Sequence, residues 1–147
     1  MRKTRIKVNK WNAQKVMEIM MTKGFDPLYI RDSRDWFNLS KYARIPEEVI
    51  DKYVGFWDWT QICGYQTLSE KFIRDHISYI GKTDMMALCA RQKLSVGFIR
   101  DYEDRINWLA LSRNPNLTDD IKEKFHDKLA AYLGKSLREL VEDGVKS

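Results

Sequence analysis

The sequence predicts an all-α protein: a short α-solenoid of about four helix-turn-helix repeats with a capping helix at each end. Three observations carry that expectation. A Trp-centred pattern recurs four times within 147 residues. Gly and Pro number only seven and three, and stretches that alternate apolar with polar residues as a half-buried strand would are hard to find. The string FIRD occurs twice, at residues 72–75 and 98–101, as expected if one helix is built again a layer further along.

The four units are DWFNLSKYARIPEEVIDKY from Asp35, DWTQICGYQTLSEKFIRDH from Asp58, DMMALCARQKLSVGFIRDY from Asp84 and NWLALSRNPNLTDDIKEKF from Asn107. Their starts lie 23, 26 and 23 residues apart. The longer interval holds Gly81, Lys82 and Thr83, which are expected in a connection, where extra length is tolerated. Asp35, Asp58, Asp84 and Asn107 precede the anchors Trp36, Trp59, Met85 and Trp108, and Asp or Asn there caps a helix. Leu39, Ile62, Leu88 and Leu111 follow three residues on, on the same helix face. A small side chain comes next: Ser40, Cys63, Cys89 or Ser112. After a turn, Pro46, Ser69, Ser95 and Thr118 suit the start of a second helix. One such hairpin cannot bury its apolar face alone, whereas three or more stacked hairpins can.

One domain is expected over residues 1–147. Residues 1–34 form a basic arm and a capping helix, 35–129 the four repeats, and 130–147 a C-terminal capping helix. The first cap is predicted over 10–23, with a stripe at Ala13, Val16, Met17, Met20 and Met21, Asn9 as its cap and Gly24 as its stop. The segment TRIKV before it reads as extended, and residues 26–33 as a degenerate half-unit. Ser136, Glu139 and Gly144 mark the final helix.

Apolar residues make up 44% and aromatic residues 12%, which excludes a disordered chain. No apolar run has membrane-spanning length, so no membrane partner is expected. The basic start MRKTRIKVNK lacks a following apolar stretch and does not read as a secretion signal. Cys63 and Cys89 lie in no CxxC or zinc-like spacing, which fits free thiols in a cytoplasmic setting. The net charge of +5 is uneven. Residues 1–23 hold seven Lys and Arg against Glu18, while 24–147 hold 19 basic and 20 acidic residues.

Nothing in the chain assembles a catalytic set, a metal site or a cofactor site. Gly81, Lys82 and Thr83 share three letters with a phosphate-binding loop, but His76 stands where that motif needs its first Gly and no strand precedes it. Cys63 and Cys89 occupy a small-residue column and read as packed thiols. His76 shares a column with Tyr53, Tyr102 and Phe125 and reads as a packed ring, and His126 as exposed. Most carboxylates fall at helix starts, where the helix dipole favours them.

The unit WTQICGYQTLSEKFI, Trp59 to Ile73, resembles the repeats of small helical-repeat proteins of tailed bacteriophages and large DNA viruses. Those repeats read W-x-x-I-S-x-x-Q-x-L-S-E-x-F-I. The resemblance spans Asp35 to Phe125. Unit three departs with Met85, Arg91 and Gly97, and unit four with Pro115 and Lys122. It implies a repeat architecture and a phage protein in a bacterial host cytoplasm, and carries no catalytic residues. Extended repeat surfaces bind macromolecules. The expected function is therefore non-enzymatic: binding and inhibiting or redirecting a host protein or ribonucleoprotein complex, with a counter-defence role such as an anti-CRISPR as one form. Exposed cations of the divergent units, Arg91, Lys93, Arg100 and Arg113, are the expected partner contacts. A nucleic-acid-binding module using Lys3, Arg5, Lys7 and Lys10 and a self-assembling phage component are the alternatives. Lys41, Arg44 and Arg74 extend the set of cations, but Asp51, Asp75 and Asp101 are interleaved with them, which argues against a continuous basic track.

The columns predict that Trp59→Ala costs about 3–5 kcal/mol as a large core truncation. Ser69→Ala costs about 1 kcal/mol through its cap, and Lys122→Ala stays within about 0.5 kcal/mol. Urea denaturation checks all three.

Overall fold

The computed structural model describes residues 5–133 of the chain, and the described residues contain helices and no strand. Ten α-helices follow in order: α1 Ala13–Met20, α2 Ser33–Tyr42, α3 Glu47–Lys52, α4 Trp59–Tyr65, α5 Glu70–Asp75, α6 Lys82–Arg91, α7 Val96–Asp101, α8 Trp108–Ser112, α9 Asp119–Lys124 and α10 His126–Leu129. Each sequence unit supplies one of the pairs α2/α3, α4/α5, α6/α7 and α8/α9. The first helices pack in chain order, α2 on α4, α4 on α6 and α6 on α8, with α1 and α10 outside them. The expected C-terminal cap, with Ser136, Glu139 and Gly144, lies outside the described residues.

The core follows the columns. Leu39, Ile62, Leu88 and Leu111 are buried, as are Ile45, Leu68 and Leu94 in the turns. Phe72, Ile73, Phe98 and Ile99 of the repeated FIRD strings are buried, and Asp75, Arg100 and Asp101 are exposed. Before α2, α6 and α8 the chain makes a three-residue 3-10 turn, Pro27–Tyr29, Ile77–Tyr79 or Glu103–Arg105, and then buries Ile30, Ile80 or Ile106. Residues 26–30 therefore match the connectors at 76–80 and 102–106.

The helix starts differ from expectation in two units. Asp58, Asn107, Ser69, Ser95 and Thr118 cap their helices through the side chain. Asp35 and Asp84 do not stand at the cap position, because α2 and α6 begin a turn earlier, after Asp32 and Gly81. Asp84 reaches back to the Gly81 N–H at 2.8 Å, and the buried Asp35 accepts from the Val8 N–H at 2.9 Å. The extra residues Gly81, Lys82 and Thr83 thus lengthen a helix rather than a loop. This also sets the anchors. Trp36 and Met85 sit one turn in and are buried, whereas Trp59 and Trp108 open their helices and are half-buried. Trp59 still stacks near Phe72, His76 and Tyr79 and donates from Nε1 to the Val54 carbonyl at 3.0 Å.

In the first cap, α1 buries Ala13, Val16, Met17 and Met20, while Met21 is exposed. α1 is shorter than the expected 10–23: Asn12 stands at its start without a side-chain cap bond and Met21 closes it. Asn9 Oδ1 accepts from the Trp11 and Asn12 N–H groups in the preceding turn, and Gly24 follows at φ +80°, a conformation suited to Gly. Residues 5–9 have no regular secondary structure and are docked. Val8 is buried, the Ile6 N–H donates to the Tyr29 carbonyl, and Asn38 donates to the Val8 carbonyl.

Short helices leave a large share of their carbonyls without intrahelical partners, and here buried amides take them up. Gln66 Nε2 donates to the Ser40 and Ala43 carbonyls at 2.8 and 2.7 Å, closing α2. Gln92 Nε2 does the same for Cys63 and Gln66 at 2.8 and 2.6 Å. Asn114 Nδ2 completes the series on Cys89 and Gln92 at 2.8 and 2.7 Å. Gln66 Oε1 also accepts from the Ile45 N–H at 3.0 Å. A second ladder joins the helix starts. Glu47 accepts from the N–H and Oγ–H of Ser69, and Glu70 from those of Ser95.

Gln92→Ala is expected to cost about 3 kcal/mol, because buried carbonyls lose their donor, whereas the neighbouring exposed Lys93→Ala changes stability by no more than about 0.5 kcal/mol. Equal urea midpoints for the two variants would remove the amide ladder from the account of stability.

Candidate binding surface

The turns that join first to second helices share one edge. Residues 40–46, 63–69, 89–95 and 112–118 contain Lys41, Arg44, Arg91, Lys93 and Arg113 and no carboxylate. Tyr42 and Tyr65 close α2 and α4 on that edge and are 39% and 46% exposed. The Lys41 ammonium lies 5.0 Å from the Tyr65 ring centre and 5.2 Å from that of Tyr42. The Arg91 guanidinium, from the next unit, lies 4.7 Å from the Tyr65 centre. Its stem runs beside Gly64, with Cδ 3.7 Å from where a Cβ would stand. Tyr65 thus holds two cations from neighbouring units, an arrangement that also orders long flexible side chains.

Two open clefts lie along this edge and share Tyr65, Gln66 and Thr67. One, of about 710 Å³, is also lined by Lys41, Tyr42 and Arg44. The other, of about 420 Å³, is also lined by Arg91, Lys93 and Asn116. The acid beside the first cleft, Glu47, is bonded to Ser69 at 2.6 and 3.0 Å.

The aspartates interleaved in sequence are separated from this edge in space. Asp51, Asp75 and Asp101 occupy the last turns of α3, α5 and α7, at the far ends of those helices from the turns. There Arg74 pairs with Asp101 at 2.8 Å and lies over the Phe98 and Tyr102 rings. Of the four expected partner contacts, Arg91 and Lys93 line one cleft together, and Arg113 closes α8 on the same edge. Arg100 lies in the last turn of α7, with the aspartates.

The basic arm is less free than its composition implies. Arg5 pairs with Asp32 at 3.0 Å and Asp35 at 3.3 Å. Lys7 is exposed, and Lys10 lies 5.3 Å from the centre of the exposed Trp11 ring. Lys3 lies outside the described residues. Sequence reading missed Tyr42 and Tyr65 as part of a site. Their only signal was recurrence in one column, seven residues after Asp35 and Asp58.

The thiols are poor nucleophiles. Cys63 and Cys89 are fully buried. Burial first, then the charge of Asp84 and the neighbouring Cys89, push the Cys63 thiol up to about 12. Burial likewise raises Cys89, against a lowering backbone bond at Asn107. His76 is buried against Phe72, with ring centres 3.9 Å apart. Its Nδ1 faces the Phe72 carbonyl and its Nε2 faces Asp51 Oδ1, both at 2.8 Å. Each nitrogen is thereby occupied within the fold. Among the described residues, no group of three or more His, Cys, Asp or Glu is placed to hold a metal ion, and no helix is long and apolar enough to cross a membrane.

No family model, curated protein or solved structure matches the chain.

Both thiols are expected to resist a thiol reagent in the folded protein at neutral pH and to react once urea unfolds it. Because the folded Cys63 thiol titrates near 12 against an ordinary 9, the unfolded chain loses its proton first as pH rises. This contribution to stability is therefore complete below the ordinary value and falls away between the two. Urea midpoints of wild type and Cys63→Ala across that window check the sign: the wild type should lose more stability than the variant.

Proposed function

We propose that this chain is a short α-solenoid of four helix-turn-helix repeats that acts by binding rather than catalysis, and that its turn edge holds a macromolecular complex of a bacterial host. The observation that carries this reading is the row of cations on that edge, with Lys41 and Arg91 both seated on Tyr65. Cations ordered in advance lose less entropy on meeting an anionic partner than free ones. The amide ladder beneath them supports the reading, because it holds successive turns at fixed spacing. The buried, protonated thiols and the doubly bonded His76 favour binding over chemistry, since neither offers an activated group.

The resemblance to phage helical-repeat proteins supplies the setting. It makes the partner a host protein or ribonucleoprotein complex in the bacterial cytoplasm, and the outcome its inhibition or redirection, an anti-CRISPR role being one form. Binding through the basic arm alone is the weaker reading, because Arg5 is already paired with Asp32 and Asp35.

The test is capture from bacterial lysate with tagged wild type and with a variant carrying Lys41→Glu, Arg91→Glu and Lys93→Glu. Wild type is expected to recover a defined complex, and the variant at least about tenfold less, at an unchanged melting temperature, as expected for reversing charges that face the solvent. Equal recovery by both would move the site off the turn edge. Empty captures from several hosts would overturn the reading.

A further inference from the structure

We propose that the turn edge recognises a single-stranded nucleic acid, with phosphates on Lys41, Arg44, Arg91, Lys93 and Arg113 and bases stacked at Tyr42 and at the Arg91–Tyr65 pair. This rests on the reading above and names the chemistry that its surface fits.

Charge separation is the first ground. The four turns hold five cations and no carboxylate, while the rest of residues 24–147 holds 14 basic against 20 acidic side chains. A nearly neutral body has therefore collected its excess positive charge along one line. Of the acids that follow the turns, Glu47 and Glu70 are taken up by Ser69 and Ser95, and the other basic stretch, residues 1–23, is the competing approach for a polyanion.

The aromatic groups decide among polyanions. Tyr42 and Tyr65 are exposed among the cations, and a guanidinium over Tyr65 extends that flat surface. Rings beside a basic groove suit splayed bases, which stack on aromatic and guanidinium planes. A duplex keeps its bases stacked inside and would meet only the cations. An acidic peptide has carboxylates for the cations but no flat face for the rings.

Length is the third ground. The first helices α2, α4, α6 and α8 pack in sequence, and three spacings of roughly 8–10 Å each give an edge of about 25–30 Å. A strand at a stacked rise of ~3.4 Å per nucleotide covers that with about eight nucleotides. The two clefts, joined at Tyr65 and Thr67, lie along the same line.

The experiment is fluorescence anisotropy of the full chain with a labelled oligouridylate of roughly 12 nucleotides, with a duplex of equal length and polyglutamate as comparison probes. Saturable binding is expected at about 50 mM salt, weakening about 100-fold by about 200 mM if five phosphates are neutralised. The pair Arg91→Glu and Lys93→Glu should weaken it at least about tenfold. Tyr65→Ala should cost about fivefold or more, and Tyr65→Phe should restore it. The pair Lys7→Glu and Lys10→Glu should leave it unchanged. No binding at the lower salt overturns the proposal, as does polyglutamate or the duplex binding as tightly as the single strand. Loss in the Lys7 and Lys10 variant would place the strand on the arm and overturn it too. If the strand fails to bind while the triple charge reversal still abolishes lysate capture, this inference falls and the broader reading stands.

Discussion

The fold depends on how it finishes the ends of very short helices. α4 and α8 have seven and five residues, and α3, α5, α7 and α9 have six each. At such lengths nearly every carbonyl in the last turn lacks an intrahelical donor, and isolated helices of this size are not stable in water. At the ends of α2, α4 and α6, Gln66, Gln92 and Asn114 reach across from the neighbouring unit, each bridging one last-turn carbonyl and the carbonyl of the residue that closes the helix. All three are buried. The cost of burying an amide is met by bonds at both ends, and the bond partners belong to the adjacent layer. A hairpin therefore completes its own backbone only when the next hairpin is present, which couples the layers more tightly than apolar contact alone.

The second ladder has the same logic at the opposite helix ends. Glu47 and Glu70 sit in the first turns of α3 and α5, where the helix dipole alone would justify them. Their carboxylates reach on to Ser69 and Ser95, the caps of the following second helices. In unit three Val96 takes the place of that Glu, so the carboxylate relay stops before Thr118, whose own hydroxyl still caps α9. Both ladders meet at the turns, so the cations of the turn edge are mounted on backbone that is hydrogen-bonded from the neighbouring unit.

What the sequence made legible was whatever recurs at a fixed interval. The leucine and isoleucine columns, the second-helix caps and the small Ser and Cys column all stand where the pattern puts them. The resemblance motif even included the Gln, but a Gln in a turn reads as a solvated polar residue until its neighbour's carbonyls are seen. Asn114 was harder still. It lies one place before the Gln column, and only its shorter side chain, reaching from the earlier residue, lets it make the same bonds. Asp35 and Asp84 misled for a different reason. The column was right, but an earlier helix start turned a cap into a third-position residue, and this also decides why Trp36 and Met85 are buried more deeply than Trp59 and Trp108.

The candidate site illustrates why linear interleaving is a poor guide in a chain of short packed helices. Asp51, Asp75 and Asp101 alternate with Lys41, Arg44, Arg74, Arg91 and Arg100 along the chain, and in one dimension their charges cancel. A second helix of six residues carries its last turn away from the edge where it began, so each aspartate is delivered to the far end while the turn cations stay behind. Arg74 and Arg100 travel with the aspartates, and Arg74 is paired there with Asp101. The cancellation in sequence becomes a partial segregation in space: the last turns of the second helices are mixed in sign, while the turn cations lie beside first-turn acids, Glu47, Glu48, Glu70, Asp119 and Asp120. That edge also carries the rings of Tyr42 and Tyr65, so the turn cations and the exposed aromatic groups fall on the same line of residues.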